Sequence, residues 1–144
     1  MNVEDTIDVV LTLWGENLVL QEVTDLVGIP PTRSRAKGEN PPGRQSLRPD
    51  LLEVGMWSIS TMQQISSQNL SDHLAFLVEK VNDKITNVKE RGLVDKARLS
   101  ITVHVGTGKP GVASWEDELD AELVANVARL GVSIAFIVMW PLPE

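Results

Sequence analysis

Between Ile7 and Trp14 the side chains alternate: Ile7, Val9, Leu11 and Leu13 fall on one side, Asp8, Val10, Thr12 and Trp14 on the other. A period of two sorts side chains onto two sheet faces and predicts a strand. The period then changes. Leu20, Val23, Leu26 and Val27 share a face at helical spacing, and Gly28 is placed to end that helix. A short second strand is expected at Met56–Thr61, with Trp57 and Ile59 opposed to Ser58 and Ser60. The longest helix follows, its stripe running Leu70, Leu74, Leu77, Val78, Val81, Ile85 and Val88, with Ser71 as N-cap and Gly92 as stop. In the third strand Leu99, Ile101, Val103 and Val105 alternate with Arg98, Ser100, Thr102 and His104. A third helix is expected from Ser114 through Leu119, Leu123, Val124, Val127 and Leu130 to Gly131, and a fourth strand from Val132 to Trp140.

Five of the eight prolines (Pro30, Pro31, Pro41, Pro42, Pro49) lie between residues 30 and 49. Proline fixes φ and removes a donor, so no regular element is expected there, and residues 29–55 read as one long loop. Strict alternation in strands one and three calls for a sheet with one packed and one open face, since doubly buried strands show continuous apolar runs. The expected fold is α+β in a single domain, 1–144: a four-stranded, mostly antiparallel sheet with three helices on one face, in β-α-β-α-β-α-β order, broadly ferredoxin-like. Strand–helix–glycine–strand occurs at 7–61 and again at 98–140, the pattern of a duplication without residue identity. The open face presents Trp14, His104 and Met139, with Val10 and Ile137, as a surface for self-association or for another protein.

Composition narrows the classes. The absence of cysteine excludes disulfides, thiolate metal sites and a cysteine nucleophile, and fits a reducing compartment. The start of the chain is acidic rather than basic, and the longest apolar stretch, Ile134–Leu142, is too short to span a bilayer. A cytoplasmic protein without membrane attachment is expected. The net charge of −7 disfavours nucleic acid as a partner. That charge is uneven. Residues 1–32 carry six acids and no lysine or arginine, whereas residues 33–48 carry Arg33, Arg35, Lys37, Arg44 and Arg48 against the single acid Glu39.

Few residues offer reaction chemistry. Gly106–Gly111 fits G-x-G-x-x-G between a strand and a helix, but the helix begins too late for its N-terminus to meet a pyrophosphate, and no acid follows for a ribose. His73 precedes the apolar Leu74 and is expected in solvent; neither it nor His104 has a partner at metal-ligand spacing. Glu116, Asp117, Glu118, Asp120 and Glu122 complement a helix N-terminus. No metal, cofactor or catalytic residue is assigned. The basic island either clamps an anion through Arg33, Arg35, Lys37 and Arg44, or pairs with the acidic body and holds the loop down.

The run Gly28-Ile29-Pro30-Pro31-Thr32-Arg33, with Arg35, Lys37-Gly38-Glu39, Gly55-Met56-Trp57-Ser58 and the ending Leu130-Gly131-Val132-Ser133-Ile134, resembles the bacterial family catalogued as domain of unknown function 4279. The resemblance covers nearly the whole chain. It implies that Pro31-Thr32-Arg33, Lys37-Gly38 and Trp57 form the recurring centre of the domain, and it carries no activity.

Three functions are therefore expected, in this order. The first is a small acidic non-catalytic binding protein, of the immunity type that covers a basic toxin by charge complementarity. The second is a small-ligand or phosphate-binding domain, enzyme or not, using the 33–48 loop, with Trp57 beside it. The third is a homo-oligomer joined through the open sheet face.

Overall fold

The structure is a computed structural model that describes residues 4–39, 54–106 and 116–140. Its elements run β1 (Thr6–Gly15), α1 (Leu20–Val27), β2 (Arg33–Arg35), β3 (Gly55–Ser60), a 3₁₀ turn (Thr61–Gln63), α2 (Leu70–Val81), α3 (Lys84–Glu90), β4 (Lys96–His104), α4 (Ala121–Arg129) and β5 (Ser133–Met139). The strands form one open sheet in the order β2-β3-β1-β4-β5. β1 is central because its odd positions are all apolar, and it pairs antiparallel with both β3 and β4. β2 adds antiparallel to β3, and β5 adds parallel to β4 through the α4 crossover.

One core cluster runs through the molecule. Ile7, Val9, Leu11 and Leu13 of β1, Leu99, Ile101 and Val103 of β4, and Trp57 and Ile59 of β3 meet Val23, Val27, Leu74, Leu77, Ile85, Val88 and Val127 of the helices. Each such side chain contributes about 1.5–3 kcal/mol on full burial. The residues alternating with them in β1, β3 and β4 lie on the other sheet face. At the end of β1 the chain passes so close that a Cβ on Gly15 would collide with the Leu93 carbonyl oxygen. Gly28 ends α1 at φ 86°, a conformation that favours glycine.

The α+β class holds, and three of the four strand pairings are antiparallel. The count among the described residues differs: five strands instead of four, and four helices instead of three. The added strand, Arg33–Arg35, lies in the segment read as featureless; it falls in the proline-free stretch between Pro31 and Pro41, and an edge strand spends only one side of its backbone on the ladder. The long helix is two helices. Its stripe continues unbroken, but Asn82 (φ 18°, ψ −125°) interrupts the hydrogen bonding between α2 and α3. The N-cap of α2 is Asn69 rather than Ser71.

The last helix begins at Ala121, capped by the Asp120 carboxylate, which accepts from Leu123 N at 2.7 Å. Ser114, the expected start, lies outside the described residues, as does most of the Gly106–Gly111 loop. The apparent duplication does not extend to topology: β3 runs antiparallel beside β1, whereas β5 runs parallel beside β4.

His73 is buried, not solvated, at 1 % exposure. Its Nε2 lies 2.8 Å from the Ser67 carbonyl, which can only accept, so Nε2 carries the proton. Nδ1 then accepts from the Thr61 hydroxyl at 2.6 Å, and the same hydroxyl oxygen accepts from Val9 N at 3.0 Å.

Candidate functional site

Strand register decides which cations meet. Arg33 stands opposite Ser58 and Arg35 opposite Met56, while Ser34 pairs with the core residue Trp57. Opposed residues share a sheet face, so Arg33 and Arg35 lie on the face turned away from the helices. The same register continues across the sheet. Met56 faces Trp14 and Ser58 faces Thr12; Trp14 then faces Lys96 and Thr12 faces Arg98.

Two adjacent rows result, Arg35–Met56–Trp14–Lys96 and Arg33–Ser58–Thr12–Arg98. Each has a cation at both ends and uncharged side chains between. Its outer strands are three spacings apart, about 14 Å.

The floor of the second row is small and polar. Thr12 and Ser58 are buried, and Ser58 Oγ donates to the Arg33 carbonyl at 3.4 Å. Thr32, just before β2, docks the edge strand: its N–H donates to the Ser58 carbonyl at 2.8 Å, and its hydroxyl accepts from Ser60 N at 2.9 Å.

Trp14 gathers the cations on the other side. Lys96 Nζ lies 5.4 Å and the Arg98 guanidinium carbon 5.3 Å from its ring centroid. Such contacts are worth about 0.5–1 kcal/mol each at exposed positions, and they hold two like charges against one ring. Arg98 Nε is buried and finds no hydrogen-bond partner among the described residues. Burying a donor without a partner costs about 1–3 kcal/mol. Among the described residues of this face the one carboxylate is Asp8, already engaged by Ser60 Oγ at 2.6 Å and Met62 N at 3.2 Å. The site can hold an oxyanion; among its described residues no nucleophile is hydrogen-bonded to a base.

The expected site residues separate accordingly. Arg33, Arg35 and Trp14 share one sheet face, and Lys96 and Arg98 share it with them, both against the Trp14 ring. Lys37 turns aside to an exposed ion pair with Glu16 at 3.5 Å. Arg44 lies outside the described residues. Trp57 is completely buried on the helix side, its Nε1 donating to Thr24 Oγ1 at 3.0 Å, and it forms no part of this surface. His104 and Met139 sit opposite one another at the far end of β4 and β5, eight residues along β4 from Lys96.

Lys96 and Arg98 went unnoticed as site residues in the sequence. Their signal was the two-residue spacing of two cations within a strand, shared with Arg33 and Arg35.

A separate pocket of about 410 Å³ includes Glu4, Asp5, Ser67, Gln68 and His73 in its lining. The His73 ring nitrogens are both engaged there, and Glu4 accepts from Gln68 Nε2 at 2.6 Å. Among the described residues no group of three or more His, Asp or Glu side chains is placed to hold a metal ion. None of the described helices is long and apolar enough to cross a membrane.

Residues 5–139 match the profile of one protein family, described as Domain of unknown function (DUF4279). No curated protein and no solved structure matches the chain.

Proposed function

The chain belongs to the DUF4279 family, and we propose that within it this protein is a non-catalytic binding module whose open sheet face takes an anionic ligand. The observation that carries this reading is the register of β2, which brings Arg33 and Arg35 onto the face that bears Lys96 and Arg98. Four cations then border a floor made of Met56 and Trp14 in one row and of the hydroxyl residues Ser58 and Thr12 in the other. Guanidinium groups bind carboxylate and phosphate oxygens bidentately, so a phosphate- or carboxylate-bearing small molecule is the fitting class.

A thermal-shift series with inorganic phosphate, pyrophosphate and citrate, on wild type, Arg98→Ala and Arg33→Ala, tests it. A ligand at a hundred times its Kd stabilises the fold by about 2.7 kcal/mol, a rise of several degrees in Tm. Wild type should show that rise with at least one anion, and each variant should lose most of it relative to its own ligand-free Tm. No response in wild type, or an equal response in both variants, overturns the reading.

Cover of a basic toxin, the first expectation from the net charge, draws less support. It needs a negative surface, and the acids near α4 are partly committed to structure: Asp117 accepts from Leu70 N, and Asp120 caps the helix.

A further inference from the structure

We propose that the ligand of the open face is two-headed: a small molecule with two oxyanionic groups joined by a short spacer. One group is held by Lys96 and Arg98 beside Trp14, the other by Arg33. The inference rests on the reading of that face as an anion site and narrows its ligand.

Several cations of the described residues are already engaged. Lys37 pairs with Glu16 and Arg91 with Glu22, Lys89 donates to the Leu130 and Gly131 carbonyls, and Arg35 has a partner of its own. Arg33, Lys96 and Arg98 form no ion pair among the described residues. Lys96 and Arg98 meet the Trp14 ring, which orients a cation without cancelling its charge.

These charges form two poles. Trp14 lies on β1 and holds Lys96 and Arg98 at 5.4 and 5.3 Å from its ring centre. Arg33 rises from β2 on the same face, two strands from β1, a distance of about 10 Å. The row joining Arg33 to Arg98 has only Ser58 and Thr12 between them, both short and uncharged. One oxyanion spanning the poles would draw three like charges onto a single group. Two linked groups instead give each pole its own counter-charge. The second contact then forms within the complex, at the high effective concentration that a short spacer provides.

Calorimetric titration with methylphosphonate and with linear α,ω-bisphosphonates of increasing chain length tests this. One length should bind best, about 100-fold more tightly than methylphosphonate, with shorter and longer members weaker. Doubled charge alone would strengthen binding at every length, without an optimum. Arg33→Ala and Arg98→Ala, one at each pole, should each remove the advantage of two heads over one. Arg33 is an exposed edge residue, and the wild-type series decides the matter without either variant. If methylphosphonate binds as tightly as every bisphosphonate, or no length is preferred, the proposal falls and the anion reading stands. If no phosphonate binds, the proposal falls, and the anion reading falls with it only if phosphate, pyrophosphate and citrate also leave Tm unmoved. An optimum that survives in Arg33→Ala overturns the proposal too, by placing the second head elsewhere.

Discussion

Thr61 completes a strand with its side chain. β3 ends at Ser60, which faces Val10, so the next backbone donor of β1 on that side has no ladder partner. The Thr61 hydroxyl accepts from it and donates in turn to His73 Nδ1, while the other ring nitrogen donates to the Ser67 carbonyl. Thr61→Val keeps the shape and removes the hydroxyl, stranding a buried N–H and a buried ring nitrogen. The expected cost is about 3 kcal/mol. Urea denaturation should show a lower midpoint at an unchanged slope. This relay could not be read from the sequence. His73 stands beside the apolar stripe of its helix, and what draws it inward is a carbonyl and a hydroxyl in the preceding turn, neither of which disturbs hydrophobic periodicity.

Elements that bury one face against the core were legible, and those held by register or capping were not. β1, α1 and β4 announce themselves because their apolar positions repeat at the period of the backbone. β2 has the sequence Arg-Ser-Arg, with no apolar residue to report a face, and it is fixed by hydrogen bonds to β3. Half of the proposed anion site was therefore visible as a basic island, while its union with Lys96 and Arg98, about sixty residues further along the chain, depends on the pairing of β2 with β3, β3 with β1 and β1 with β4. The start of α4 was similarly hidden, since several acids in sequence can each serve as a cap. Asp120 is the one that does. Asp120→Ala should cost about 1 kcal/mol of unfolding free energy, read by thermal or urea denaturation, whereas Glu118→Ala, outside the helix, should be nearly neutral.

Charge acts over the whole molecule. Four cations cluster at one end of an open face within a chain of net charge −7. At an ionic strength of ~0.01 M the screening length is about 30 Å, so an approaching anion feels the repulsion of the whole protein. At ~0.1 M it is about 10 Å, and the nearby cations dominate; at ~1 M it is about 3 Å, and they too are screened. Calorimetric titration with pyrophosphate should therefore find binding strongest at the intermediate salt. A steady decline from the lowest salt would show that distant acids do not matter. The two borders of the sheet differ in kind as well. A layer able to accept a neighbour on both sides grows into a fibre, because each addition regenerates the site for the next. Here one border is three residues long and studded with guanidinium groups, which repel their own copies. A strand that added at β5 would find no second docking line on the opposite margin, so growth would stop at a finite particle instead of running on as a fibre.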